Sequence, residues 1–136
     1  MPQFLDTNIL LYSISQDAAE SKKRQRAVEL LGDDSGALSI QVLQEFYVQA
    51  TRTTRTDPIP HEFAAGLIEA WTRFPIQDMT LAVLNSALRI RASYRFSFWE
   101  SAILAAALAL GCDRVYTEDL NHGQVVEGLL IINPFR

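Results

Sequence analysis

The sequence has little that staples, breaks or anchors a chain. One of its 136 residues is cysteine, Cys112, so no intramolecular disulfide framework forms, and no Cys/His set has the spacing of a zinc site. Five prolines and six glycines are too few for a collagen-like or low-complexity chain. The longest apolar run, Ala102 to Leu110, falls well short of the ~20 residues that cross a bilayer, so no membrane contact is expected. The opening Met1-Pro2-Gln3-Phe4-Leu5-Asp6 lacks the basic-then-apolar pattern of a secretory leader. Positive charge is not in excess either: 12 Lys and Arg face 16 Asp and Glu, a net charge of −4. Proteins that coat nucleic acid non-specifically are basic, so that class is disfavoured. An enzyme with one basic rim beside an acidic centre remains compatible with this balance. What is present, 49% hydrophobic and 21% charged residues, describes one soluble globular domain over 1–136, expected in the cytoplasm and able to bury a core unaided.

Short strands alternate with helices along the chain. Phe4-Leu5 is an apolar entry that ends at Asp6, and Thr7 to Tyr12 reads as a turn or short helix. Glu20 to Leu31 sets Ala27, Leu30 and Leu31 on one side and stops at Gly32-Asp33-Asp34-Ser35-Gly36. Ala37-Leu38-Ser39 is a second strand, and Leu43, Phe46, Tyr47 and Ala50 recur at helical spacing before the breaker Asp57-Pro58-Ile59-Pro60. Phe63, Leu67, Ala70, Trp71 and Phe74 predict the buried face of another helix, with a strand at Phe74-Pro75-Ile76. Thr80 caps a helix expected to bury Leu81, Leu84, Ala87, Leu88 and Ala92, and the next runs from about Trp99 to Leu110, ending at Gly111. Arg114 to Thr117 and Leu129 to Ile132 are the last strands. Strands separated by helices predict an α/β fold with a small, mostly parallel sheet between helical layers. In such sheets the ligand crevice lies beyond the carboxyl ends of the strands.

Asp6 stands there, after the first strand, where it reads either as a helix cap or as a site acid. Glu45, beside Leu43 and Phe46, is a solvated helix residue or a fourth acid. Glu100 closes the capping box Ser97-Phe98-Trp99-Glu100, and that role competes with one in chemistry. Asp119 follows the strand ending at Thr117. His61 and His122 are isolated and read as surface or helix-end residues, Cys112 as a packed thiol, and Trp71 and Trp99 as core. Carboxylates gathered within a few ångströms repel one another, and a hard divalent ion with oxygen ligands relieves that repulsion. Such an ion acidifies water and stabilises charge on a phosphodiester.

Four segments in order, Phe4-Leu5-Asp6-Thr7-Asn8-Ile9-Leu10, Gln44-Glu45-Phe46, Ser97-Phe98-Trp99-Glu100-Ser101-Ala102-Ile103-Leu104 and Tyr116-Thr117-Glu118-Asp119-Leu120, with the closing Asn133-Pro134-Phe135, resemble the PIN domain, in particular the VapC-type toxins of toxin–antitoxin pairs. The resemblance implies a three-layer α/β/α fold and a Mg²⁺- or Mn²⁺-dependent endoribonuclease that hydrolyses RNA phosphodiesters. It implies Asp6, Glu45, Glu100 and Asp119 as catalytic acids, Asp6, Glu100 and Asp119 as metal ligands, and Asn8 and Thr117 as residues that orient them. The family usually has Trp-Asp where this chain has Trp99-Glu100, which sets the carboxylate one methylene further out. That leaves a second reading, a weakened PIN-like module that binds RNA or antitoxin without cutting. Lys22, Lys23, Arg24, Arg26, Arg52, Arg55 and Arg95 are candidate phosphate contacts, each also readable as part of a solvated face. The partners implied are RNA, a VapB-type antitoxin and a second copy of the chain.

Overall fold

The alternation of strands and helices closes into a single six-stranded sheet. The computed structural model describes residues 2–136; Met1 of the expected 1–136 domain lies outside the described residues. The strands are β1 (Gln3–Leu5), β2 (Gly36–Ser39), β3 (Ile76–Gln77), β4 (Arg114–Tyr116), β5 (Val125–Val126) and β6 (Leu129–Ile132). Their order is β3-β2-β1-β4-β6-β5, with every pair parallel except β5 and β6. The helices are α1 (Thr7–Ser13), α2 (Ser21–Gly32), α3 (Ile40–Thr51), α4 (His61–Trp71), α5 (Leu81–Tyr94) and α6 (Phe98–Ala109). They fall into two groups: α1 packs on α2 and α3, and α3 on α4, whereas α5 packs on α6, which lies against the sheet. This is the expected three-layer α/β/α arrangement.

Central strands covered on both faces must be apolar throughout. Phe4, Leu5, Ala37, Leu38 and Val115 are accordingly buried, and Gly36 leaves room for Phe74, whose ring a Cβ there would meet at 2.8 Å. Helix starts carry the expected caps: the side chains of Ser39, Thr80 and Ser97 each accept the backbone N–H three residues on. After α6, Gly111 takes φ 75°, the Gly111 N–H reaches the Leu108 carbonyl and the Cys112 N–H reaches that of Ala107. This Schellman closure turns the chain into β4. Cys112 is packed as expected, and burial, reinforced by Asp113, pushes its thiol pKa up to about 11.

Several expectations are corrected. The strand expected at Phe74-Pro75-Ile76 forms at Ile76–Gln77, because Phe74 turns into the core beneath Gly36. In α4 the buried residues are Ala64 and Trp71, and Phe63 is half exposed. In α5 they are Val83, Ala87 and Ile90, leaving Leu81 and Leu88 outside. In both helices several apolar residues lie off the stripe that faces the neighbouring element, and periodicity alone does not say which stripe is covered. Trp71 is core, but Trp99 is 63% exposed, since it stands in the first turn of α6 at the mouth of a cleft. Strand β5, too short to show alternation, pairs with β6 through a two-residue turn at Glu127 and Gly128, both with positive φ.

Chain order along the sheet reverses at β1: β2 and β3 run to one side, β4 and β6 to the other. Leu5 is in register with Tyr116, so Asp6 and Thr117, each one residue past a strand end, become neighbours.

Candidate functional site

Beyond the ends of β1 and β4 the chain builds a hydrogen-bonded cluster. The buried Asp6 accepts the Thr7 N–H on Oδ1 at 2.7 Å and the Thr117 hydroxyl on Oδ2 at 2.8 Å. Thr117 Oγ1, fully buried, also receives the Asp119 N–H at 3.1 Å and Asn8 Nδ2 at 3.2 Å. Asn8 Nδ2 lies 3.1 Å from Asp119 Oδ2 as well. The Thr7 hydroxyl donates to Glu45 Oε1 at 2.7 Å, which ties α3 to the end of β1. Asp6 thus caps α1, as one reading of the sequence expects, and its other oxygen joins it to the hydrogen-bonded cluster.

Asp6, Glu45, Glu100 and Asp119 line one cleft of about 460 Å³, together with Thr7, Asn8, Gln49 and Trp99, and neither lysine nor arginine lines it. A carboxylate removed from water with no cation beside it is costly to charge. Burial pushes the Asp6 pKa from 3.8 up to about 6; the bonds from Thr117 and Thr7 pull it down, and the charges of Asp119 and Glu45 push it up again.

Glu100 faces this cleft while holding its cap. Its Oε1 accepts the Ser97 N–H at 2.9 Å, and its own N–H reaches Ser97 Oγ at 3.1 Å, a complete capping box. All donors around the cleft are oxygens or amides, the set that suits a hard cation. The buried Asn8 Oδ1 atom has no protein partner. By donor chemistry and uncompensated charge the residues fit such an ion. As placed, however, no three His, Cys, Asp or Glu side chains among the described residues are gathered closely enough to hold one.

Of the basic candidates, Arg52 and Arg55 line grooves that open into the acid cleft. Arg55 borders a neighbouring groove of about 770 Å³ and pairs with Asp57 at 3.2 Å. Lys23 is engaged by Glu118 at 3.0 Å and the Tyr12 hydroxyl at 3.1 Å. Arg26 meets Glu29, Lys22 and Arg24 are exposed on α2, and Arg95 ends α5 with φ 64°. The structure brings none of these last four to the cleft lining. His61 pairs with the Tyr47 hydroxyl and His122 accepts the Asn133 N–H, consistent with helix-end and surface roles.

Sequence reasoning missed Thr7 and Gln41. Gln41 is buried, and its Nε2 lies 3.3 Å from Glu45 Oε2 and 3.1 Å from the Trp99 carbonyl, so it couples α3 to α6. The signal was its place four residues before Glu45 on one helix face. Among the described residues no helix is long and apolar enough to cross a membrane.

The family model described as PIN domain matches residues 4–127. No curated protein matches the chain by sequence. Among solved structures, a toxin–antitoxin complex from Klebsiella pneumoniae is 19% identical, with TM-score 0.72 and 97% of each chain covered. A DNA-bound VapBC from Salmonella typhimurium is 19% identical, with TM-score 0.64 and 96% of each chain covered. A Mycobacterium tuberculosis VapC toxin described as cleaving the sarcin-ricin loop is 20% identical, with TM-score 0.64, over 86% of this chain and 91% of that one. At such identities the shared property is the fold.

Proposed function

The chain belongs to the PIN domain family, and from that premise we propose that it is the toxin of a toxin–antitoxin pair, a Mg²⁺- or Mn²⁺-dependent endoribonuclease that hydrolyses RNA phosphodiester bonds. The observation that carries this reading is the cleft itself: four acids and no base at the switch point of a parallel sheet. The solved relatives, toxin–antitoxin complexes and an RNA-cleaving toxin by description, agree with it. Asp6, Glu100 and Asp119 would hold the ion, with Glu45 completing the acid set. The ion, once bound, would supply positive charge for the phosphodiester in flight and make water a better nucleophile. Thr117 holds Asp6 Oδ2, Thr7 holds Glu45 and Asn8 holds Asp119, so each acid but Glu100 is oriented by a side-chain hydroxyl or amide of this chain. Burial of Asp6 keeps bulk water away from that carboxylate.

The partners proposed with this reading are a cognate antitoxin and a second copy of the chain. Co-purification with the product of a neighbouring reading frame and light scattering test these two. The second reading, a binding module with a weakened site, is favoured by one observation: one oxygen of the Glu100 carboxylate is already engaged by the Ser97 N–H. Cleavage of total RNA and of a transfer RNA pool in Mn²⁺, Mg²⁺ and EDTA separates the two. Metal-dependent cutting that disappears in Asp6→Ala and rises in Glu100→Asp is the expected result. Absence of cutting by the parent and by Glu100→Asp, with either metal, refutes the ribonuclease reading.

A further inference from the structure

Trp99 is the part of the cleft that the acid chemistry leaves unused. It is 63% exposed, whereas Trp71 is 5% exposed and sits edge-on to Phe46. An indole in water forgoes the burial its large apolar surface offers. Yet its backbone is anchored and its ring has an aromatic neighbour. Its ring stands edge-on to Phe98 at 5.0 Å, and its backbone carbonyl is bonded to the same Gln41 Nε2 that reaches Glu45. Trp99 also borders a second groove, of about 580 Å³, with Gln44, Val48, Gln49 and Arg52. Glu45, Gln49 and Trp99 line both this groove and the acid cleft, so the two are continuous.

We propose that Trp99 is a stacking platform for one unpaired nucleobase of the substrate strand, with Arg52 receiving a phosphate beyond that base. The platform then selects which phosphodiester enters the acid cleft. The proposal rests on the ribonuclease reading and deepens it. Unpaired RNA is recognised by aromatic faces and backbone cations together, and every base has a π-face to offer. The groove supplies one of each, Trp99 and Arg52, flanked by glutamine amides suited to base edges. An apolar peptide anchor calls for a concave, apolar lining; here Val48 is the single aliphatic residue beside the indole.

The test is RNA binding in the Asp6→Asn background, where the strand survives the titration. The probe is a single-stranded octaribonucleotide of mixed sequence, beside an abasic octamer of the same length. Trp71 is buried, so the exposed component of the fluorescence reports Trp99. RNA is expected to quench that component and shield it from iodide. Trp99→Ala is expected to weaken binding about 5- to 150-fold, the worth of one stacked base, with Trp99→Phe retaining most of it. Arg52→Gln is expected to lower the salt dependence by about one phosphate contact. The abasic strand is expected to bind the parent and Trp99→Ala alike.

Equal affinity of Trp99→Ala and parent for the octamer overturns the proposal, as does an equal loss on the abasic strand. A variant that keeps RNA affinity but loses a co-expressed antitoxin makes the groove a protein site and also overturns it. Metal-dependent cutting that persists in Trp99→Ala with unchanged affinity removes the platform alone. Failure of every form to bind RNA removes the ribonuclease reading with it.

Discussion

Replacing Asp6 by asparagine is expected to make the metal-free protein more stable while abolishing the proposed ribonuclease activity. The folded-state pKa of Asp6 is about 6, against an ordinary 3.8. Between these values the folded protein holds a proton that the unfolded chain has released, so stability falls as pH rises through that window. At about 1.4 kcal/mol per pH unit the interval corresponds to roughly 3 kcal/mol, absent below pH 4 and complete above pH 6. Asparagine never carries the charge. It caps α1 as well as aspartate does and still accepts the Thr7 N–H through its carbonyl. Its amide, however, meets Thr117 Oγ1, which already receives Asn8 and the Asp119 N–H. That crowding offsets about 1 kcal/mol. The net gain at pH 7.5 is therefore about 2 kcal/mol, or roughly 6–10 °C in Tm for a chain of this length. The assay is urea unfolding of both proteins in EDTA from pH 4 to 8. The difference between them is expected to grow across the window and then level off. A difference that stays constant with pH, or an asparagine variant less stable at pH 7.5, refutes the argument that the charge on Asp6 opposes folding.

Thr117→Val keeps the shape but deletes the hydroxyl that Asp6, Asn8 and the Asp119 N–H share, and is expected to cost about 1–3 kcal/mol in denaturant unfolding. The same change moves the Asp6 pKa above about 6, since the lost bond favours the charged form, and the falling limb of stability shifts to higher pH. Glu100→Gln preserves the capping box, which accepts either residue, so unfolding is expected to change by less than about 0.5 kcal/mol. Metal-dependent RNA cleavage by that variant is expected to fall at least tenfold if the carboxylate charge serves the ion, and equal activity would confine Glu100 to its cap.

The parts legible in the sequence were those governed by neighbours along the chain. Asp6 and Asp119 were marked by their positions after apolar strands, Thr117 by the family resemblance alone, and Ser97 to Glu100 spelled out the capping box that forms. The buried faces of α2 and α3 followed from spacing because Ala27, Leu30, Phe46 and Ala50 recur at helical intervals. In α4 and α5 apolar residues surround more of the helix, and only contact with other elements decides that Ala64 and Val83 go in while Phe63 and Leu81 stay out. The roles of Thr7 and Gln41 depend on partners 38 and 58 residues away, a relation no local pattern encodes. The exposure of Trp99 has the same origin. Its apolar neighbours in sequence made it look like core, but α6 turns it toward the gap between two layers.

Cys112 gives the fold a built-in clock. With its pKa raised to about 11, roughly one thiol in a thousand is ionised at pH 8, and the side chain is covered by the junction of α6 and β4. With Cys112 6% exposed, opening of that junction is the main route for a disulfide reagent, so the labelling rate in native buffer reports on the opening of the strand that leads to Thr117. A chain with a single thiol in this position times its own breathing without an engineered probe.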